Sequence, residues 1–176
     1  MGRQGAGPST LRAKFINFVR LRERSTGRRL YVLNNHTVPT VQAKDGSANE
    51  RMSERLDLYR KHMRGLQRLD RDMRATGAAV VATGDFNVNY RKDRRVQDPL
   101  FPYVRMHRAG AWSSYDKLGE AHRGTHVLRS GNDTRLIDYV FFADHPAVTA
   151  ENQRVLYGYS SDHRPLLVRF GLAGRH

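Results

Sequence analysis

The chain contains no cysteine. Disulfide scaffolds, thiolate-ligated zinc and thiol catalysis are therefore excluded together, while the compartment is left open. Proline is held to six residues and tryptophan to one among 176, which is not the composition of a low-complexity segment. No run approaches 18 consecutive apolar residues, so no membrane span is expected. The first ten residues, MGRQGAGPST, lack the apolar segment of a secretory signal, and residues 1–10 read as a disordered or artificial start to an otherwise soluble chain. Acidic residues are also scarce. Seventeen Asp+Glu stand against 31 Lys+Arg, 26 of them arginine, for a net charge of +14. That balance rules out an acidic disordered tail. Arginine's planar donor fork suits phosphate, so nucleic acid, anionic lipid or a phosphorylated small molecule are the natural partners.

What is present is the material of one globular domain. Hydrophobic residues make up 39%, and a chain of 20.2 kDa buries about 70% of its unfolded surface. Residues 15–23 alternate with strand periodicity, Ser25-Thr26-Gly27 is a turn, and 28–35 forms the return arm of a β-hairpin that delivers Asn35 and His36 to its end. Ser47 and Glu50 have capping-box spacing ahead of Met52, Leu56, Tyr59, Met63, Leu66 and Met73, which predicts one amphipathic helix over 47–75. Asp57/Lys61 and Asp70/Arg74 fall on its wet side, Gly77 stops it, and its Met/Leu stripe is core packing. The run 78–83 (AAVVAT) is a strand buried on both faces. Beyond it come a charged loop over 88–99, a short helix within 100–109 and an irregular stretch over 111–133. Strands follow at 135–143, near 147–156 and at 165–170.

Polar residues at the strand ends carry the chemistry. Asp138 shares a strand face with Leu136, Val140 and Phe142, where an ionised carboxylate costs several kcal/mol unless a partner meets it. A surface position or a structural arginine would answer that need. So would an imidazole, from His163 or His36, and a carboxylate that orients a histidine prepares it for acid/base work. Asp85 and Asn87 leave the end of the buried strand, the place where α/β sheets bind ligands; the same Asp-x-Asn sequence also makes an ordinary Asx-turn. Asp162-His163 sets an oxygen ligand for a hard cation beside a titratable nitrogen. Several strand ends, each bearing an isolated Asp or His, form the constellation an active site requires.

Asn-Asn-His at 34–36, Gly-Asp-Phe-Asn at 84–87, Leu-Ile-Asp-Tyr-Val-Phe at 136–141 and Ser-Asp-His-Arg-Pro-Leu at 161–166 occur in that order. This series resembles the C-terminal half of the endonuclease/exonuclease/phosphatase superfamily, the DNase I-like group. The resemblance implies an α+β (α/β) sandwich, here about one half to two thirds of it, built from a β-hairpin, a long helix and a mainly antiparallel sheet over 11–176. It also implies a Mg²⁺-dependent (or Mn²⁺-dependent) phosphodiester hydrolase, most naturally a nuclease. His36 would hydrogen-bond the scissile phosphate, Asp85 orient or deprotonate water, Asn87 stabilise the transition state, and Asp138 orient His163. His163 would contact the phosphate and Asp162 would help hold the metal, with Asn35 and Arg164 as further substrate contacts.

Two departures from the pattern carry expectations of their own. Family members usually read Asn-Thr-His-Leu around the first histidine, whereas here Asn35 precedes His36, Thr37 follows it, and Pro39 comes two residues later. The family's other half supplies an Asn near the first strand and a Glu that is the principal metal ligand, and neither has a counterpart here. The expectation is weak Mg²⁺ binding at Asp162 alone, and an apolar sheet face that a missing half, a second copy or another protein would cover. Two other readings stay open: an inositol or lipid phosphate phosphodiesterase or phosphatase, and a basic phosphate- or nucleic-acid-binding module without turnover.

Overall fold

A computed structural model describes residues 14–128, 130–131 and 134–172; the expected disordered start at 1–10 lies outside them. The hairpin comes first, β1 (Ile16–Arg22) against β2 (Arg29–His36), in unbroken antiparallel register. A one-turn 3₁₀ segment (Glu50–Met52) leads into α1 (Ser53–Arg74), which carries the chain back so that β3 (Ala79–Asp85) pairs parallel to β2. Next come α2 (Tyr90–Val96), α3 (Pro102–Arg108), the two-residue β4 (Trp112–Ser113) and α4 (Ser114–Leu118). β5 (Asp138–Phe142) then inserts antiparallel between β3 and β4, giving a five-stranded sheet in the order β1-β2-β3-β5-β4. β6 (Val148–Val155) and β7 (Leu166–Leu172) form a separate antiparallel pair. The expected α+β, mainly antiparallel architecture is the one observed.

The sheet separates two cores of unequal size. On one face Leu33, Ala82, Tyr139 and Phe141 pack against Leu56, Tyr59, Met63 and Leu66 of α1, all fully buried. The other face is covered by the β6–β7 pair, whose Leu166, Val168 and Phe170 meet Val81, Val140 and Phe142. That cover is narrow. Val19 and Leu21, on β1 in register with Val32 and Leu30, are 53% and 50% exposed.

Local expectations are corrected in four places. The 111–133 stretch is not wholly irregular: it carries β4 and α4, and Ser113 caps α4 by accepting a hydrogen bond from the Tyr115 N–H at 3.2 Å. The 88–99 stretch is not a plain loop. Asn89 caps α2 by accepting a hydrogen bond from the Arg91 N–H at 3.3 Å, and Gln97 ends it in the left-handed region. Ser47 does not cap α1, because its N–H and hydroxyl both donate to Asp45 Oδ1, at 3.0 and 2.7 Å, leaving the helix start to the 3₁₀ turn. Asp70 is buried rather than wet. It is paired with Arg74, which also donates to the carbonyl of Ala109 at 2.6 Å and so ties α1 to the end of α3.

Candidate active site

Register decides which polar residues meet. β2 runs parallel to β3 and β5 antiparallel, so the C-terminal ends of the first two align with the N-terminal end of the third. His36 is the register partner of Asp85, and Asp85 of Asp138, which places three side chains in one row across three strands. Strand alternation turns this row to the face of Val81, Val140 and Phe142, under the β6–β7 pair. The loop entering β7 brings His163 onto the end of the row. Its Nδ1 donates to both carboxylate oxygens of Asp138, at 3.0 and 3.2 Å. The anomalous carboxylate thus meets an imidazole, and it is His163. His163 Nε2 and His36 Nε2 then both face Asp85 Oδ2, at 3.9 and 3.5 Å.

The scaffold holds this row closely. Gly84 has φ +128°, and a Cβ built there would lie 1.9 Å from the carbonyl oxygen of Asn35, so only glycine lets β2 and β3 approach. Asn87, at φ +53°, closes an Asx-turn in which its N–H donates to Asp85 Oδ1 at 2.7 Å and its Nδ2 to Asp85 Oδ2 at 2.9 Å. The second Nδ2 hydrogen goes to the Thr37 carbonyl at 3.0 Å. Both amide hydrogens of Asn87 are therefore spent on its surroundings, and the turn and the site are one structure. Tyr59 and Tyr139 fix the same loop by donating to the carbonyls of Phe86 and Val88, at 3.3 and 2.9 Å. The Thr125 hydroxyl, accepting from the N–H groups of Ile137 and Asp138, fixes the entry to β5.

Electrostatics follow from this crowding. Burial, reinforced by the Asp138 charge beside it, pushes the Asp85 carboxyl up to about 6. The hydrogen bond that His163 donates to Asp138 raises His163 above its ordinary value, with burial opposing. Burial and the ammonium of Lys14, 3.2 Å from His36 Nε2, hold His36 below the usual imidazole range. Two neighbouring histidines are thus driven in opposite directions, and a carboxylate between them titrates near neutrality.

The remaining candidates fall elsewhere. Asn35 lies on the opposite face from His36, buried, donating to the Thr83 carbonyl at 2.7 Å. Asn34 instead shares a cleft of about 500 Å³ with Thr83, Asp138, Tyr159 and His163. Arg164 borders that cleft, its guanidinium 5.0 Å from the Tyr157 ring and its N–H donating to the Thr125 carbonyl. Asp162, 73% exposed, faces His126 Nε2 at 3.8 Å. Lys14 and His126 were not singled out for the site from sequence. Lys14 is carried in by the hairpin fold and His126 by a lone bridge to His163, and neither stands at the end of an apolar strand.

No protein-family model matches the chain, and no curated protein does. Solved structures do. An endonuclease/exonuclease/phosphatase family protein from Bacteroides thetaiotaomicron matches with TM-score 0.64 at 18% identity, over 93% of this chain and 58% of its own. The chain has the endonuclease/exonuclease/phosphatase fold. Within that fold it is also similar to a Bacteroides thetaiotaomicron mannosyl-6-phosphatase (TM-score 0.59, 18% identity, 93% of this chain and 59% of that one). D. rerio TDP2, complexed with single-strand DNA product, matches with TM-score 0.56 at 17% identity, over 89% of this chain and 62% of its own. The chain therefore spans about three fifths of the length of these structures, and the likeness at this identity concerns the endonuclease/exonuclease/phosphatase fold itself.

Proposed function

We propose that the chain is a phosphoric ester hydrolase, most naturally a phosphodiesterase acting on nucleic acid. The observation that carries this reading is the row His36–Asp85–Asp138 with His163 clamped to its end. Two imidazoles and the Lys14 ammonium converge around one carboxylate, the arrangement needed to hold a phosphate and activate water beside it. Asp85 deprotonates the water, since a carboxyl near pH 6 is a better base than an ordinary one yet is ionised at pH 7. His163 Nε2, its ring held and made more basic by Asp138, contacts a nonbridging or leaving oxygen as acid. His36 contacts the phosphate. Asn87, with its amide hydrogens committed, positions Asp85 rather than touching the transition state. The +14 charge and the similarity to a DNA-product complex favour a polynucleotide. The mannosyl-6-phosphatase likeness keeps a phosphomonoester or a lipid or inositol phosphate as the second substrate class.

The Mg²⁺ or Mn²⁺ that the resemblance implies would have Asp162 as its ligand. Asp85 is engaged by Asn87 and Asp138 by His163, so Asp162 is the site carboxylate left over, and its near neighbours among the described residues are imidazoles. Mg²⁺ asks for an octahedron of oxygens, and this donor set does not fit it. No step above runs through that ion. This misfit is the specific ground for the second reading, a phosphate-binding module without turnover.

Plasmid nicking decides between them. The hydrolase reading predicts cleavage that falls about 100-fold or more in His163→Ala and Asp85→Ala. DNA retention without cleavage, unchanged in both variants, supports the binding module instead.

A further inference from the structure

His126, Asp162 and His163 form a cluster that the hydrolytic row does not use as such. One ligand atom from each lies within 4.8 Å of the others. The backbone builds the cluster: residues 126 and 163 form an antiparallel bridge, the Val127 N–H donates to the Asp162 carbonyl at 2.8 Å, and the Arg164 N–H to the Thr125 carbonyl at 2.7 Å. The two imidazole rings pack edge to face with centroids 4.9 Å apart. Among the described residues, neither nitrogen of His126 has a hydrogen-bond partner. Nδ1 is buried without a partner, and Nε2 stands 3.8 Å from Asp162 Oδ2, beyond hydrogen-bond reach. An imidazole so buried and unbonded lacks the partner such groups normally have.

We propose that these three residues are a site for a borderline divalent ion, Zn²⁺ before all others, and that its occupation takes His163 away from the phosphate. Two imidazoles and one carboxylate are a donor set that selects zinc over magnesium. Bonds of about 2.1 Å in a tetrahedron set ligand atoms about 3.4 Å apart, so the His126–Asp162 pair is already within about half an ångström. The exposed Asp162 carboxylate is free to close the remainder. Asp138 completes the pattern of metal-binding histidines: it holds His163 Nδ1 and leaves Nε2 as the nitrogen that binds. Ion and phosphate then compete for the same nitrogen. Binding of the ion stands on this geometry alone, whereas its inhibitory effect rests on the hydrolase reading.

The test is calorimetric titration of the whole, chelator-stripped chain with ZnCl₂ and with MgCl₂, in the wild type, His126→Gln and Asp162→Asn. The expected result is one Zn²⁺ per chain, weakened about tenfold or more by either substitution, with Mg²⁺ in excess unable to displace it. Asp162 is exposed, so its amide variant folds as the wild type does. In the unmodified chain, Co²⁺ should shift the imidazole proton resonances of His126 and His163 and leave those of His107 and His145 in place. Zinc affinity unchanged in both variants, displacement of zinc by magnesium, or Co²⁺ shifts confined to other histidines would overturn the site. Zinc binding without phosphodiester cleavage would sink the hydrolase reading and leave the site standing; cleavage that bound zinc does not inhibit would sink the competition alone.

Discussion

Asp85 is held at a cost that the proposed hydrolysis would use. Its carboxyl titrates at about 6 instead of the ordinary 3.8, so its ionised form destabilises the fold by about 3 kcal/mol, at 1.36 kcal/mol per pH unit. A raised carboxyl stabilises the fold most when protonated. The stability is therefore fully present below pH 3.8 and lost as pH rises through 6. Asp85→Asn, which keeps an acceptor for the Asn87 N–H, should raise the unfolding free energy by about 1–3 kcal/mol at pH 7.5. Urea titrations should show that gain shrinking to nothing near pH 4, while hydrolysis is lost; a variant less stable than wild type at pH 7.5 would contradict this. The pH–rate profile should rise through about 6 as Asp85 ionises and fall above the ordinary imidazole range as His163 loses its proton. In Asp138→Asn the falling limb should move to lower pH, because the bond that raises His163 is weakened. Asp138 was legible in sequence as a carboxylate on an apolar face. Strand alternation alone leaves a surface position, an arginine, His36 and His163 open as the answer to it; the resemblance points to His163, and the loop before β7 is what brings that ring to the carboxylate. Asn35 shows the opposite case: alternation along β2 already separates it from His36.

Among the elements, β2, α1, β3 and β5 were legible because strand alternation, helical spacing or an unbroken apolar run dictates them. α2 was not, since seven residues with four basic side chains carry too little pattern, and its reason is tertiary. Tyr90 and Asp93 are its buried residues, and Asp93 Oδ2 accepts the Tyr103 N–H at 2.8 Å, capping the start of α3. Burial pushes Asp93 up to about 8, so it caps as a neutral acid at pH 7. Asp93→Asn should change stability by less than about 1 kcal/mol, whereas Asp93→Ala, which removes the acceptor, should cost about 1–2 kcal/mol in thermal unfolding. Equal losses in the two would show that size rather than the hydrogen bond matters. At the β2–β3 crossing, Gly84→Ala must push apart the strands whose register sets the active row. It should lower stability by more than about 2 kcal/mol and reduce hydrolysis along with it. Wild-type stability in that variant would refute the close approach.

At the scale of the whole molecule, the chain couples a strongly basic surface to a sheet incompletely covered on one side. The +14 charge predicts DNA binding that weakens steeply between 50 and 200 mM salt, by about 10³-fold if six phosphates are contacted. Salt-independent retention would mean that arginine is not the binding surface. Val19, Leu21, Leu167 and Leu172 remain exposed on β1 and β7, so sedimentation should show concentration-dependent association that Val19→Lys with Leu21→Lys relieves. No helix among the described residues is long and apolar enough to cross a membrane. The central claim is that His163 and Asp138 act as one unit in phosphodiester cleavage. It is tested most directly by kcat/KM for Asp138→Asn, His163→Gln and the double variant. Above pH 7, where Asp85 is ionised with or without the Asp138 charge beside it, the prediction is a double variant no slower than His163→Gln alone, because there the carboxylate acts chiefly through the imidazole. Losses that multiply, or a wild type that binds DNA without cutting it, would contradict the account.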